Sequence, residues 1–255
     1  MTRFSTLFAA LVIGLGTAHA ADAPQPAKAQ KKDFACLASL SGSPQLMFDN
    51  TGFKHSDGPV AEFYGECTMF DAFYVGGYRA QSLVASARGN EWDAILGRRG
   101  SVGPVDYDVR VHYYRFNVGD GVELEQVGGR LALSHDFKLG GRWTLVPMAL
   151  IDVSPIITTN QNIVGGAVGL AAKRKFVELW GAPTFELNAK VWHYFETPAP
   201  NKGTPITSIT AKLDYGIRGT SCTAGPTGLV TFGDIIGPDP HRTTFGLKFG
   251  GACSF

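Results

Sequence analysis

The residues of this chain whose types and spacing could do chemistry are four cysteines, a serine–histidine neighbour pair and a set of charged side chains at alternate positions. Cys36, Cys67, Cys222 and Cys253 contain no Cys-x-x-Cys spacing, and the six histidines show no paired spacing, so a zinc site is not expected. An even number of thiols suits two disulfides instead. Ser134 and His135 are adjacent, and on an extended strand adjacent side chains point to opposite faces. The histidine then cannot reach the serine as a base, which nucleophilic catalysis requires. His193 has no serine two residues away. Glycine phosphate loops, dinucleotide fingerprints and calcium loops are missing as well. The chain reads as neither an enzyme nor a cofactor-dependent protein. Its net charge of +1 gives nucleic acid no electrostatic footprint.

The inward-facing set, charged apart from Asn188 and the neutral form of His112, is Asp106, Asp108, Arg110, His112, Glu123, Glu125, Glu186, Asn188, Lys190, Lys212, Asp214, Arg218 and Lys248. Both signs occur in similar number, and the sequence assigns all of them to one side of a wall of strands. Two readings stay open. One is a self-neutralising network that fills a narrow interior. The other is a constriction that selects small polar solutes by charge.

The elements that must position these groups are long alternating strands. Val105, Tyr107, Val109, Val111 and Tyr113 oppose Asp106, Asp108, Arg110, His112 and Tyr114. Phe185, Leu187, Ala189 and Val191 oppose Glu186, Asn188, Lys190 and Trp192, and Ile209 to Ile217 alternate with Thr210, Lys212 and Asp214. Leu131, Leu133 and Phe137 share a face in the stretch from Val127. Strands of roughly 10–13 residues exceed the usual length in globular proteins and suit a tilted crossing of a bilayer. A hydropathy average near zero does not oppose this, because such strands carry apolar residues at every second position.

The last strand, Phe245-Gly-Leu-Lys-Phe-Gly-Gly-Ala-Cys-Ser-Phe255, places Phe245, Leu247, Phe249 and Phe255 on one face and Lys248 on the other. It resembles the closing strand of Gram-negative outer-membrane β-barrels. That resemblance implies a terminal Phe255 at the periplasmic interface, read by the barrel assembly machinery, and a wall in contact with outer-membrane lipid. The N-terminus agrees: Arg3, the apolar Leu7–Ile13 core and Ala18-His19-Ala20 read as a secretory signal over residues 1–20. Residues 21–32, with Pro24, Pro26 and three lysines, read as a disordered periplasmic leader, and residues 33–255 as the barrel.

Counting back from a periplasmic C-terminus puts the outward links at Asp234–Thr243, Glu196–Pro205, Ser154–Ile163, Asn117–Gly121, Ser86–Asn90 and about Asp49–Pro59. The inward links fall at Thr220–Pro226, Ala172–Lys175, Lys138–Gly141, Gly100–Pro104 and near Asp71. This gives an all-β antiparallel barrel of about 12 strands. Gly181-Ala182-Pro183 could divide one strand, and the first strand, Asp33 to Phe48, is poorly patterned, so ten strands is the alternative count. In this topology the preferred disulfides are Cys36–Cys67 and Cys222–Cys253, with Cys36–Cys253 across the seam as the runner-up.

Glu91-Trp-Asp-Ala-Ile-Leu-Gly-Arg-Arg-Gly, followed by Asp106-Tyr-Asp-Val-Arg-Val-His-Tyr-Tyr, resembles a hairpin of the uncharacterised outer-membrane family Gcw_chp, which implies no known reaction. Some outer-membrane barrels are lipid-modifying enzymes or proteases, but the serine and histidine positions here do not suit either. The expected role is a narrow channel for small polar solutes or a structural envelope protein. The rival is a soluble periplasmic β-sandwich that binds a ligand, which would bury the apolar face against a second sheet.

Overall fold

The computed structural model describes residues 34–255 apart from 49–54, 71, 86–87, 120–121, 180 and 235–238. The expected signal and leader lie outside the described residues. The strands are β1 (Phe34–Ser43), β2 (Val60–Met69), β3 (Phe73–Ser82), β4 (Glu91–Val102), β5 (Val105–Gly119), β6 (Val122–Ser134), β7 (Phe137–Lys138), β8 (Trp143–Ile156), β9 (Gln161–Lys175), β10 (Thr184–Glu196), β11 (Ile206–Gly216), β12 (Cys222–Phe232) and β13 (Thr243–Ser254). Each pairs antiparallel with its sequence neighbour, except that β6 pairs directly with β8 and the two-residue β7 only borders β8. β1 pairs with β13, so twelve strands close into a ring. Closure leaves no strand edge unpaired.

Alternation decides which side chains face in. Phe63, Leu96, Val109, Val111, Val168, Leu187, Phe245, Leu247 and Phe249 stand exposed on the outer wall. Their neighbours Glu62, Arg110, His112, Asn188 and Lys190 are buried inside. A soluble sandwich has the opposite arrangement, so that alternative is overturned.

Several boundaries differ from the sequence reading. β1 stops at Ser43 rather than running to Phe48, because Pro44 has no N–H to continue the ladder. Leu46 and Phe48 leave the wall and turn into the lumen. Gly181-Ala182-Pro183 divides no strand, since it belongs to the β9–β10 link; β9 itself runs to Lys175. Pro226 is part of β12, opposite Phe249, rather than part of a link. The β4–β5 turn is the tight pair Gly103-Pro104, where Gly103 at φ 58 takes the left-handed conformation that glycine tolerates.

Two disulfides are present, Cys36–Cys67 and Cys222–Cys253. Both join residues that face each other in register within a hairpin, as the sequence preferred, and neither crosses the β1–β13 seam.

Candidate functional site: the barrel lumen

On the inner face of β2 to β8, long polar side chains interlock. The Arg99 guanidinium grips the Glu66 carboxylate through two nitrogens, one bond measuring 2.9 Å, and donates to Asp108 Oδ2 at 2.9 Å. Its plane lies 4.0 Å from the Tyr74 ring centroid, and the Tyr74 hydroxyl donates to Asp108 at 2.6 Å. Tyr64 donates to Glu66 at 2.5 Å, and Tyr78 to Glu62 at 3.1 Å. Higher up, Arg130 Nε donates to Asp152 Oδ2 at 2.8 Å with both side chains almost fully buried. Bidentate and charge-assisted bonds of this kind are the strong ones in a low-dielectric interior.

His112 Nε2 lies 3.1 Å from Ser154 Oγ, whose hydroxyl donates to Asp152 Oδ1. With the serine proton committed to the carboxylate, the imidazole can only donate to that oxygen. The three groups join β5 and β8 in one hydrogen-bond network on the inner face. Gly128 leaves room for it: a Cβ there would sit 2.3 Å from both His112 Nε2 and Ser154 Oγ.

The opposite wall, β9 to β13, carries lysines among small residues. Lys173 pairs with Glu186 at 3.2 Å, Lys212 with Asp214 at 2.8 Å, and Lys248 reaches Glu62 on β2 at 3.8 Å. Lys190 and Asn188 are buried on the same wall. Most carboxylates lie on one wall, among Arg99, Arg110 and Arg130, and the lysines lie on the other. Between them, a cavity of about 40 Å³ is bordered by Ser43, Glu62, Thr210, Thr227 and Lys248. It has room for a few water molecules.

The outer end of the lumen carries an apolar cluster beside buried Glu91, Gln126, Ser208 and Thr231. Phe116, Leu124, Ile156, Trp192 and Ile206, all at the outer ends of their strands, are essentially fully buried in one cluster. Leu46 and Phe48 from the β1–β2 link complete it. Met47 of that link lies over the inner face of β13, where a Cβ on Gly246 would come 2.8 Å from the Met47 sulfur. His55, from the same link, meets Phe48 at 4.3 Å and Phe116 of β5 at 6.1 Å between ring centroids. The described residues of the link, 44–48 and 55–59, therefore touch both β13 and β5. The Ser56 hydroxyl holds the crossing, accepting from Leu46 N–H at 2.8 Å and donating to the Gly58 carbonyl at 2.7 Å.

Burial, and secondarily the Arg88 charge, holds the His55 imidazole well below its usual pKa of about 6.5. Arg88 itself pairs with Asp57 at 3.1 Å. For a base whose folded pKa is depressed, the unfolded state binds more protons below the unfolded pKa. The stabilisation is then present above about pH 6.5 and is lost as pH falls towards the folded value. The unfolding midpoint of the wild type should accordingly drop more than that of His55→Gln between pH 7.5 and pH 5. Parallel pH profiles of the two proteins would contradict this.

The structure sorts the sequence candidates as follows. Asp106, Asp108, Arg110, His112, Glu186, Asn188, Lys190, Lys212, Asp214 and Lys248 share the inner face, with Asp106 at the rim accepting from Ser101. Arg218 is a correction: it is exposed on the β11–β12 link beyond the end of β11, outside the lumen. Glu123 and Glu125 are corrections too. They face outward, where both pair with Arg115, because they share the parity of the outward Leu131 and Leu133. Sequence reasoning missed Glu62, Glu66, Glu91, Asp93, Arg99, Arg130 and Asp152. The parity opposite Phe63, Trp92 and Leu131 was the signal that could have found them.

Comparison with solved structures decides the class. The β domain of the Bordetella autotransporter BrkA superposes with a TM-score of 0.54 at 14% identity, covering 88% of this chain and 100% of that one. The NanC porin matches with a TM-score of 0.51 at 8% identity, covering 86% and 98%. The transport unit of the autotransporter AIDA-I from Escherichia coli matches with a TM-score of 0.50 at 8% identity, covering 98% and 97%. The fold is an outer-membrane β-barrel. At these identities the likeness concerns the fold alone. No family model and no curated relative matches the chain, so the Gcw_chp resemblance rests on its hairpin residues. The exposed leucines, valines and phenylalanines form an apolar outer face of the kind this fold turns to lipid. His193 sits on that outer face beside Phe195, its ring 5.1 Å away, and not in the lumen.

Proposed function

We propose that this protein is a structural barrel of the Gram-negative outer membrane whose lumen is closed to ions. One observation carries the reading: the apolar cluster of Leu46, Phe48, Phe116, Trp192 and Ile206 fills the outer end of the lumen. An apolar constriction opposes the passage of ions, because apolar side chains do not replace an ion's hydration. The interlocked charges below it then serve to fill and fix the interior, as in other narrow barrels. On this reading the protein is not an enzyme. Its partners are outer-membrane lipid and, during biogenesis, the assembly machinery that reads the strand ending at Phe255.

Planar-bilayer recording tests the proposal. Purified, refolded wild type should give no stepwise conductance, and regular channel events would overturn the closed reading. The segregation of carboxylates and lysines across the lumen favours a second reading, a gated path for small polar solutes. If Phe48→Ser combined with Trp192→Ala opens a pore, adding Lys190→Gln or Lys212→Gln should shift its selectivity towards cations. A pore whose selectivity ignores both lysines would remove the second reading.

A further inference from the structure

We propose that the outer seal is an acid-released latch: when the His55 side chain takes up a proton, Leu46 and Phe48 leave the outer end of the lumen and small ions pass. The proposal rests on the closed reading above, taken as the state at neutral pH.

Three observations lead there. The first is where the ring sits. His55 is fully buried, edge to face with Phe48 at 4.3 Å and with Phe116 of β5 at 6.1 Å. Both phenylalanines belong to the cluster at the outer end, so the imidazole is wedged into the seal itself. A neutral ring packs there as an aromatic. An imidazolium would be a cation stripped of water, and burying a charge is expensive unless a counter-ion meets it.

The second observation is what faces the ring. On its own link, Asp57 is committed to Arg88 at 3.1 Å. From the β3–β4 link comes the Arg88 guanidinium, the charge that acts on the ring, and it has the sign of the imidazolium. β5 brings the apolar Phe116. The register partner of Phe116 on β4 is Glu91, buried beside the same cluster, whose carboxyl interacts with that of Asp93. A proton on His55 is therefore met by a like charge.

The third observation is coupling. The His55 N–H donates to the Leu46 carbonyl at 2.7 Å, and the Leu46 N–H donates to the Ser56 hydroxyl at 2.8 Å. Displacing His55 and Ser56 thus displaces the seal residues at Leu46 and Phe48. The β1–β2 ladder is already complete at Ser43–Val60, so this unit can lift without unpairing the wall.

Linkage gives the sign and the size. A released imidazole lies in water and titrates at about pH 6.5, whereas the latched one titrates well below that. Below about pH 6.5 the released state binds the extra proton, so falling pH favours release. Between pH 7.5 and pH 5 the ratio of released to latched protein should rise about 30-fold.

Two measurements on the refolded full chain test the latch. Hydrogen exchange in detergent reads release: protection of the Leu46 and His55 amides, corrected for intrinsic rates, should fall about 30-fold from pH 7.5 to pH 5 and hold in His55→Phe. Planar-bilayer recording reads passage: stepwise events should be absent at pH 7.5, regular at pH 5, and absent at both in His55→Phe. Where that variant does not refold, His55→Gln, neutral at both pH values, takes its place. Unchanged protection, no events at pH 5, or an equal response in the variant would each overturn the latch and leave the closed reading standing. Regular events already at pH 7.5 would overturn the closed reading, and the latch with it.

Discussion

Phe249→Lys should remove most of the assembled barrel, while Lys248→Gln one residue earlier leaves yield nearly unchanged. Phe249 stands on the outer wall of β13 with 63% of its surface exposed, between Leu247 and the glycine pair at the seam. In a membrane that surface belongs to lipid. A lysine there costs about 2–4 kcal/mol near the midplane and less towards the interface. The position also lies in the seam, opposite Gly42, so a poorly inserted β13 fails to close the ring. Lys248 points the other way, half-buried beside Glu62 at 3.8 Å. A glutamine keeps its length and polarity in a lumen that already holds several lysines. The two variants should be compared by the fraction of heat-modifiable protein in outer-membrane extracts. Equal yields would refute both the facing of β13 and the lipid-exposed wall.

Arg130→Met should destabilise the folded barrel by about 3–5 kcal/mol, because it strands the Asp152 carboxylate in a buried site. Asp152 keeps the Ser154 hydroxyl as a donor but loses the guanidinium at 2.8 Å, and no bulk water reaches it. The double variant Arg130→Met with Asp152→Leu should recover much of the loss, since a buried ion pair is worth little against well-packed apolar replacements. Urea unfolding of the refolded protein in detergent measures both. A single variant as stable as wild type would show that water hydrates this part of the lumen freely and that the network is not a packed interior.

The sequence was most legible where one face alternates without interruption. The runs at Val105–Tyr113, Phe185–Val191, Ile209–Ile217 and Phe245–Phe255 specified strands, facing and a bilayer-length crossing, and the ten candidates found on the inner face belong to them. Twelve strands and the preferred disulfides also match the sequence reading, in which the order of links left a count of ten and a Cys36–Cys253 bond across the seam open. Legibility failed where the inner face is mixed. β2 to β4 carry Tyr64, Tyr74, Tyr78 and Ile95 inside alongside Glu62, Glu66, Glu91 and Asp93, so polarity alone does not mark the interior. It failed also at the start of β6, where Glu123 and Glu125 are charged and close to a turn but carry the outward parity of Leu131 and Leu133.

Alone, then, the chain determined the class of wall: period-two alternation is a local property, and a residue's side of a strand depends only on its neighbours. What fills the barrel was decided in three dimensions. Arg99 meets Glu66 across 33 positions and Asp108 across nine, and Arg130 meets Asp152 across 22, pairings set by strand register around a closed ring. The outer seal is more remote still. Leu46 and Phe48 sit in a stretch that continues β1 in composition, and only the ring of Phe116, Leu124, Ile156, Trp192 and Ile206 offers them an apolar surface to cover. Local propensity places a residue on a face, but whether that face encloses a channel or a core depends on what the other strands bring to the same height.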